Sequence, residues 1–203
     1  MSITEQDRSR ISSAIQAAEA RTSGEIVCVL AQSSADGTTL PILIAATVAL
    51  GLPWVLVATT ALPVARILSL QVLVFVVLSL LLCLPQVRVA LMPRRARRAV
   101  AHRSAMEQFT IRGIARKRDH CGILIFVSLA ERYARIIADQ GIADRVPQSE
   151  WQSAVDVLIA HMRDDRIADG FIAAISACGN KLATHFPRKE TSHDELPDRI
   201  YLI

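Results

Sequence analysis

Apolar positions change their spacing several times along the chain. Ile11, Ala14, Ile15 and Ala18 recur at helical spacing behind Thr4 and Asp7, residue types that start helices. Ser23-Gly24 interrupts that pattern. The run Glu25-Ile26-Val27-Cys28-Val29-Leu30 then predicts a short strand. From Gly37 to Val87 periodicity disappears, and these 51 residues hold a single charge, Arg66. As one helix the run would extend roughly 75 Å, against a hydrocarbon core of roughly 30 Å, so two crossings are predicted. The break falls in Leu62-Pro63-Val64-Ala65-Arg66, because an arginine at mid-bilayer would cost about 2.5–3.5 kcal/mol on insertion scales. The spans are placed at about Leu40–Leu62 and Ile67–Leu84, with Pro53 and Trp54 inside the first.

Beyond the hairpin the pattern alternates again. Arg97 to about Lys117 reads as a helix marked by Val100, Met106, Phe109 and Ile114. Gly122-Ile123-Leu124-Ile125-Phe126-Val127-Ser128 is apolar throughout, as suits a strand covered on both faces. Tyr133 to Asp139 predicts a second strand, antiparallel to the first across the turn Ala130-Glu131-Arg132. Pro147, Ser149 and Gln152 open a helix with Trp151, Val155, Leu158, Ile159 and Met162 inward. Ile167 to about His185 predicts another. The tail after Pro187 is polar, and Ile200-Tyr201-Leu202-Ile203 either docks or adds an edge strand. One helix and one strand before the hairpin cannot bury a core alone, so they need the later segment as partner. A helix-containing crossover joins strand 25–30 to strand 122–128, which predicts a parallel pair. The fold class is therefore α/β: a small mixed sheet flanked by helices (α/β/α), with an inserted two-helix transmembrane hairpin. The parts are residues 1–38, the hairpin 39–87, the second part of the same domain 88–190, and a tail 191–203.

Composition sharpens this. Of 203 residues 52% are hydrophobic, too many for a disordered chain, and the charged majority outside the hairpin excludes a polytopic transporter. Charge is segregated: between Arg88 and Arg118 ten Lys and Arg face one acid, Glu107. Arg88, Arg94, Arg95, Arg97, Arg98 and Arg103 follow the second span with no acid among them. This places both termini in the cytoplasm by the positive-inside rule, in an inner membrane crossed twice. It also suits anionic lipid headgroups, at about 1 kcal/mol per charge. Only Phe109 interleaves with the basic residues, which argues against nucleic acid as a partner. Met1 to Arg10 is polar, with no signal peptide. Cys28, Cys83, Cys121 and Cys178 are scattered without a CxxC pair and read as reduced thiols, three of them outside the apolar run.

Candidate chemistry is sparse. Glu131 and Arg132 in the turn could orient an anionic group or a partner, or form a solvated pair. Asp139 and Asp144 flank Gly141, whereas calcium takes six to eight oxygens and the EF-hand pattern is missing. Asp164, Asp165 and Asp169, with Asp156 and His161 nearby, could gather a divalent ion. Capping of the following helix by Asp165 or Asp169 is the favoured reading. His120-Cys121 is adjacent rather than spaced as a ligand pair. Ser128 lacks a GxSxG elbow, and there is no P-loop, GxGxxG or HExxH. Because strand 25–30 runs toward the hairpin, the parallel strand 122–128 should also end toward the bilayer. Glu131, Arg132 and the arginines 94, 95, 97 and 98 then form a membrane-proximal interaction surface, with Asp139 and Asp144 on the distal rim.

The stretches AIQAAEARTSGEIVCVL, GILIFVSLAERYARIIADQGI and DGFIAAISACGNKLATHFP, together with Trp151, resemble the TPM-domain family. The resemblance covers about residues 3–36 and 97–187. It implies a compact α/β/α domain, usually tethered to a membrane. Family members are linked to acid phosphatase activity, calcium binding, photosystem repair and receptor modulation, so calcium enters here by resemblance alone. Many relatives carry an acidic loop where this chain has Ala130-Glu131-Arg132. The resulting expectation is a cytoplasmic module at the inner membrane that binds an unidentified protein or lipid and needs no cofactor. The alternative is a membrane-tethered phosphatase or metal-dependent hydrolase.

Overall fold

The computed structural model describes residues 3–34, 39–84, 87, 92–116, 120–188 and 196–203. It divides into two compact units, residues 1–34 with 100–203, and residues 35–99. The first unit is built on α1 (Glu5–Glu19), β1 (Glu25–Ala31), β2 (Gly122–Ser128), β3 (Tyr133–Ala138) and β4 (Ile200–Leu202). Its sheet has the order β3-β2-β1-β4. β1 pairs parallel with β2 from Glu25↔Gly122 to Ala31↔Ser128, and β2 pairs antiparallel with β3, closing at Ser128↔Tyr133. The mixed pairing expected from the order of elements is thus present.

Every residue of β1 and β2 is buried. Alternate side chains enter two separate cores, the consequence of the period of two along a strand. Ile26, Cys28, Leu30, Ile123 and Ile125 meet Ile11 and Ile15 of α1, and Leu158, Phe171 and Leu182 of α6 (Gln152–Arg163) and α7 (Ile167–His185). Val27, Val29, Leu124 and Phe126 meet Ala105 and Phe109 of α4 (Arg94–Ile111), with Ile114 beyond it. α1 opens with a capping box. The Thr4 hydroxyl accepts from the Asp7 amide at 3.2 Å, and the Asp7 carboxylate accepts from the Thr4 amide at 3.2 Å. Such a cap stabilises by about 1 kcal/mol.

Two elements differ from the sequence expectation, and a third settles an alternative it left open. The helix read as 97–117 starts at Arg94, next to Pro93, and ends at Ile111. Gly113, at φ 76°, stops it with a left-handed turn, and a single 3-10 turn covers Ile114–Arg116. A one-turn helix, α5 (Gln140–Ala143), follows β3, with the Asp139 side chain accepting from the Gln140 amide. The C-terminal residues settle as an edge strand: β4 runs parallel to β1 from Cys28↔Ile200 to Leu30↔Leu202. The Ile203 amide donates to Leu30 O at 3.0 Å, and the Gln32 amide to Ile203 O at 2.8 Å.

The second unit contains α2 (Thr39–Thr59) and α3 (Val64–Cys83), packed along each other. The break at residues 60–63 ends on Pro63 in extended conformation, where Leu62–Arg66 was expected to break the run. Arg66 accordingly lies in the first turn of α3. Ala45 and Ala49 are buried, the small-residue spacing that lets helix backbones approach closely. Leu43, Leu50, Val57, Val72 and Leu80 point outward, and Trp54 is 82% exposed. Hydroxyls of Thr47, Thr59 and Ser69 donate to carbonyls one turn back at 2.7–2.8 Å, so these side chains need no water. Both helices are long and apolar enough to cross a membrane, by length and composition.

Candidate functional site

Parallel pairing brings the C-terminal ends of β1 and β2 side by side, the edge where ligands gather in α/β sheets. The turn Leu129–Arg132 connects β2 to β3 there. It is pinned back to the first strand by Leu129 N donating to Ala31 O at 3.0 Å and Ala130 N donating to Gln32 O at 3.1 Å. Arg132 N donates to Leu129 O at 3.2 Å, and Arg132 takes φ 51°, the left-handed position that closes a four-residue hairpin loop.

This geometry turns Glu131 inward, leaving it 5% exposed. Its Oε1 accepts from the Ser33 hydroxyl at 3.1 Å, and its Oε2 from the Ser34 amide at 3.0 Å. The Ser128 hydroxyl also donates to Oε2, and the Ser34 hydroxyl donates to Ser128 Oγ at 2.9 Å. A buried carboxylate is held only where donors satisfy it, and here three do. The cluster joins the loop after β1 to the turn after β2. Ser128 is 1% exposed, so its hydroxyl has no route to a dissolved ester. The sequence singled out Glu131 but not its partners Ser33 and Ser34, whose only signal was a pair of serines directly following a strand. Arg132 extends from the same turn.

The other candidates are dispersed. Asp139 is buried, caps α5, and lies 3.1 Å from His120 Nδ1. Asp144 is the C-cap of that same short helix. Asp169 takes Arg10 Nη2 at 2.6 Å and Arg166 Nε at 3.0 Å, and these hydrogen bonds hold its carboxyl below the ordinary range. The N-cap of α7 is Arg166 and makes no side-chain capping bond, so neither Asp165 nor Asp169 caps this helix. Asp165 instead occupies the bend before α7 at φ 62°. Among the described residues no three His, Cys, Asp or Glu side chains converge as a metal site would require. Arg94, Arg95, Arg97 and Arg98 occupy the first turns of α4.

A further buried carboxyl escaped the sequence reading. Glu19, 4% exposed, accepts from the Ile26 amide at 2.6 Å. Burial, reinforced by the neighbouring carboxylates of Asp198 and Glu25, pushes its pKa up to about 9. Burial likewise raises the Cys28 thiol and takes Cys178 to about 12, which leaves both as unreactive packing groups.

A helix–sheet–helix domain with a central parallel pair is the class this architecture defines. The family described as the TPM domain matches residues 84–181, and the chain carries a TPM domain there. The match contains β2 and β3 but neither β1 nor β4, so the outer segments supply the other half of the sheet. Among solved structures, the NMR structure of the BA42 protein from the psychrophilic bacterium Bizionia argentinensis aligns with 100% of this chain and 97% of its own length. The TM-score is 0.64 at 20% identity, a likeness of fold. No curated protein matches.

Proposed function

We propose that this chain is a TPM domain anchored in the inner membrane by the α2–α3 hairpin, facing the cytoplasm and serving as a protein- or lipid-interaction module. The observation that carries the reading is the outward surface of α2 and α3. It is almost wholly apolar and exposed, a surface that water would penalise and lipid would accept. Arg94, Arg95, Arg97 and Arg98 supply the cytoplasmic charge excess and would meet anionic headgroups. The membrane-proximal role of Glu131 and Arg132 rests on connectivity alone: only residues 32–38 separate β1 from α2. Reporter fusions at residues 1, 64 and 203 test the topology. Both termini should report inside and residue 64 outside, and exported termini would overturn the reading. Crosslinking in native membranes would then identify the partner.

The second reading, a membrane-tethered phosphatase or metal-dependent hydrolase, is favoured by the family's association with phosphatase activity. The closed state of the Glu131 cluster weighs against it, because its oxygens already accept from the protein's own donors. Phosphate release from p-nitrophenyl phosphate by the solubilised chain, with and without Ca²⁺ or Mg²⁺, separates the two. Turnover lost in Glu131→Gln would establish the hydrolase.

A further inference from the structure

The free side of β4 carries a feature that the anchored-module reading does not use. Among the described residues β4 is the last strand on its side of the sheet. Ile203 directs both its amide and its carbonyl to the β1 chain. Alternation along a parallel strand gives Tyr201 the same direction and turns the backbone groups of Ile200 and Leu202 outward. Beside that edge lies a cleft of about 580 Å³ lined by Arg8, Arg112, Arg199, Ile200, Tyr201 and Leu202. Tyr201 belongs to the core facing α4 and Ile200 to the core facing α1, so the cleft straddles the sheet edge.

Its charge is one-sided. The Arg112 guanidinium stands 3.8 Å from the Tyr201 ring centroid, and that of Arg199 stands 4.8 Å from it. Arg112 Nε donates to Gln108 Oε1, a neutral acceptor, at 3.1 Å. Among the described residues neither arginine forms an ion pair, while Arg8 reaches the exposed Glu5 at 2.7 Å. Two guanidiniums held on one ring repel each other, and an anion within reach of both lowers that repulsion. Contact with the ring holds both guanidiniums in place in advance, which lowers the entropy lost when carboxylates bind.

We propose that this edge binds an acidic, extended peptide segment of a partner protein, which adds a strand to β4 and places alternate carboxylates on Arg112, Arg199 and Arg8. Outward backbone groups at Ile200 and Leu202 provide the ladder, and the arginines provide selection by charge. The length of the cleft along three consecutive strand residues favours a peptide over a small anion.

The test uses the full chain in nanodiscs of neutral phosphatidylcholine. The probe is a seven-residue peptide alternating glutamate and valine, titrated by calorimetry at low salt. Its counterpart has glutamine for glutamate, and inorganic phosphate is titrated separately. Saturable binding of the acidic peptide is expected, at least tenfold tighter than that of the glutamine peptide and weakened by salt. Arg112→Gln with Arg199→Gln should cost about tenfold, the loss expected when two partly exposed charge pairs are removed. Amide exchange at Ile200 and Leu202 should slow on binding, in the wild type and more weakly in the double variant. Equal binding of the two peptides, unchanged exchange at both amides, or phosphate binding as tightly as the acidic peptide would each overturn the proposal.

Discussion

Removing residues 1–34 should prevent the rest of the TPM domain from folding, although the family match begins at residue 84. β1 lies between β2 and β4 and takes both ladders with it. Its side chains Ile26, Val27, Val29 and Leu30 are each 3% exposed or less. Full burial of such a side chain is worth about 1.5–3 kcal/mol, so the four together contribute about 6–12 kcal/mol. That is comparable with the whole stability of an ordinary domain, about 5–15 kcal/mol. Ile11 and Ile15 of α1 are also lost, and an open β2 edge favours aggregation. The comparison is between residues 97–203 alone and residues 1–36 joined to 90–203 by about twenty Gly and Ser residues. Such a linker spans roughly 25 Å on average. Urea unfolding followed by circular dichroism should give a cooperative transition for the joined chain. The fragment should give none, and should bind a hydrophobic dye. A cooperative transition in the fragment at the same urea midpoint would refute the composite domain.

Glu19→Gln should flatten the pH dependence of stability. The folded pKa of about 9 lies above the unfolded value near 4.5, so the stabilisation by the neutral acid is complete below pH 4.5 and lost as pH rises toward 9. The wild-type stability should therefore fall across that window, by up to about 1.4 kcal/mol per pH unit, and the variant's should fall less; parallel curves of Tm against pH would remove the argument. Glu131→Ala leaves buried donors without an acceptor and should cost about 1–3 kcal/mol by urea titration, whereas an unchanged midpoint would show that the serine cluster does not hold the turn. Asp165→Gly relieves a left-handed non-glycine residue at φ 62° and should stabilise by about 1 kcal/mol, read as a rise in Tm.

What the sequence revealed and what it concealed divide along one physical line. Apolar periodicity is local, so α1, β1, β2, the two apolar helices and α7 could be read within a few residues. The parallel pairing followed from the crossover between β1 and β2. Polar partnerships are set by register across the sheet and leave no local trace. Glu131 meets Ser33 and Ser34 only because Ala31 stands opposite Ser128. A one-residue slip of that register would turn the side chains of either strand to the other face and dissolve the cluster. Glu19 carried a faint warning, an acid beside Ala18 on the helix's apolar face, but its acceptor role for Ile26 required the fold. β4 is the clearest case. Three residues after a polar tail have too little pattern to distinguish a docked end from a strand. The deciding factor was the open side of β1, whose seven buried residues need a neighbour on both sides. The same placement brought Tyr201 to Arg112, from segments that the sequence gives no reason to connect. The closing of the sheet by residues 200–203 is thus what brings Arg112 and Arg199 together on the Tyr201 ring beside the edge of β4.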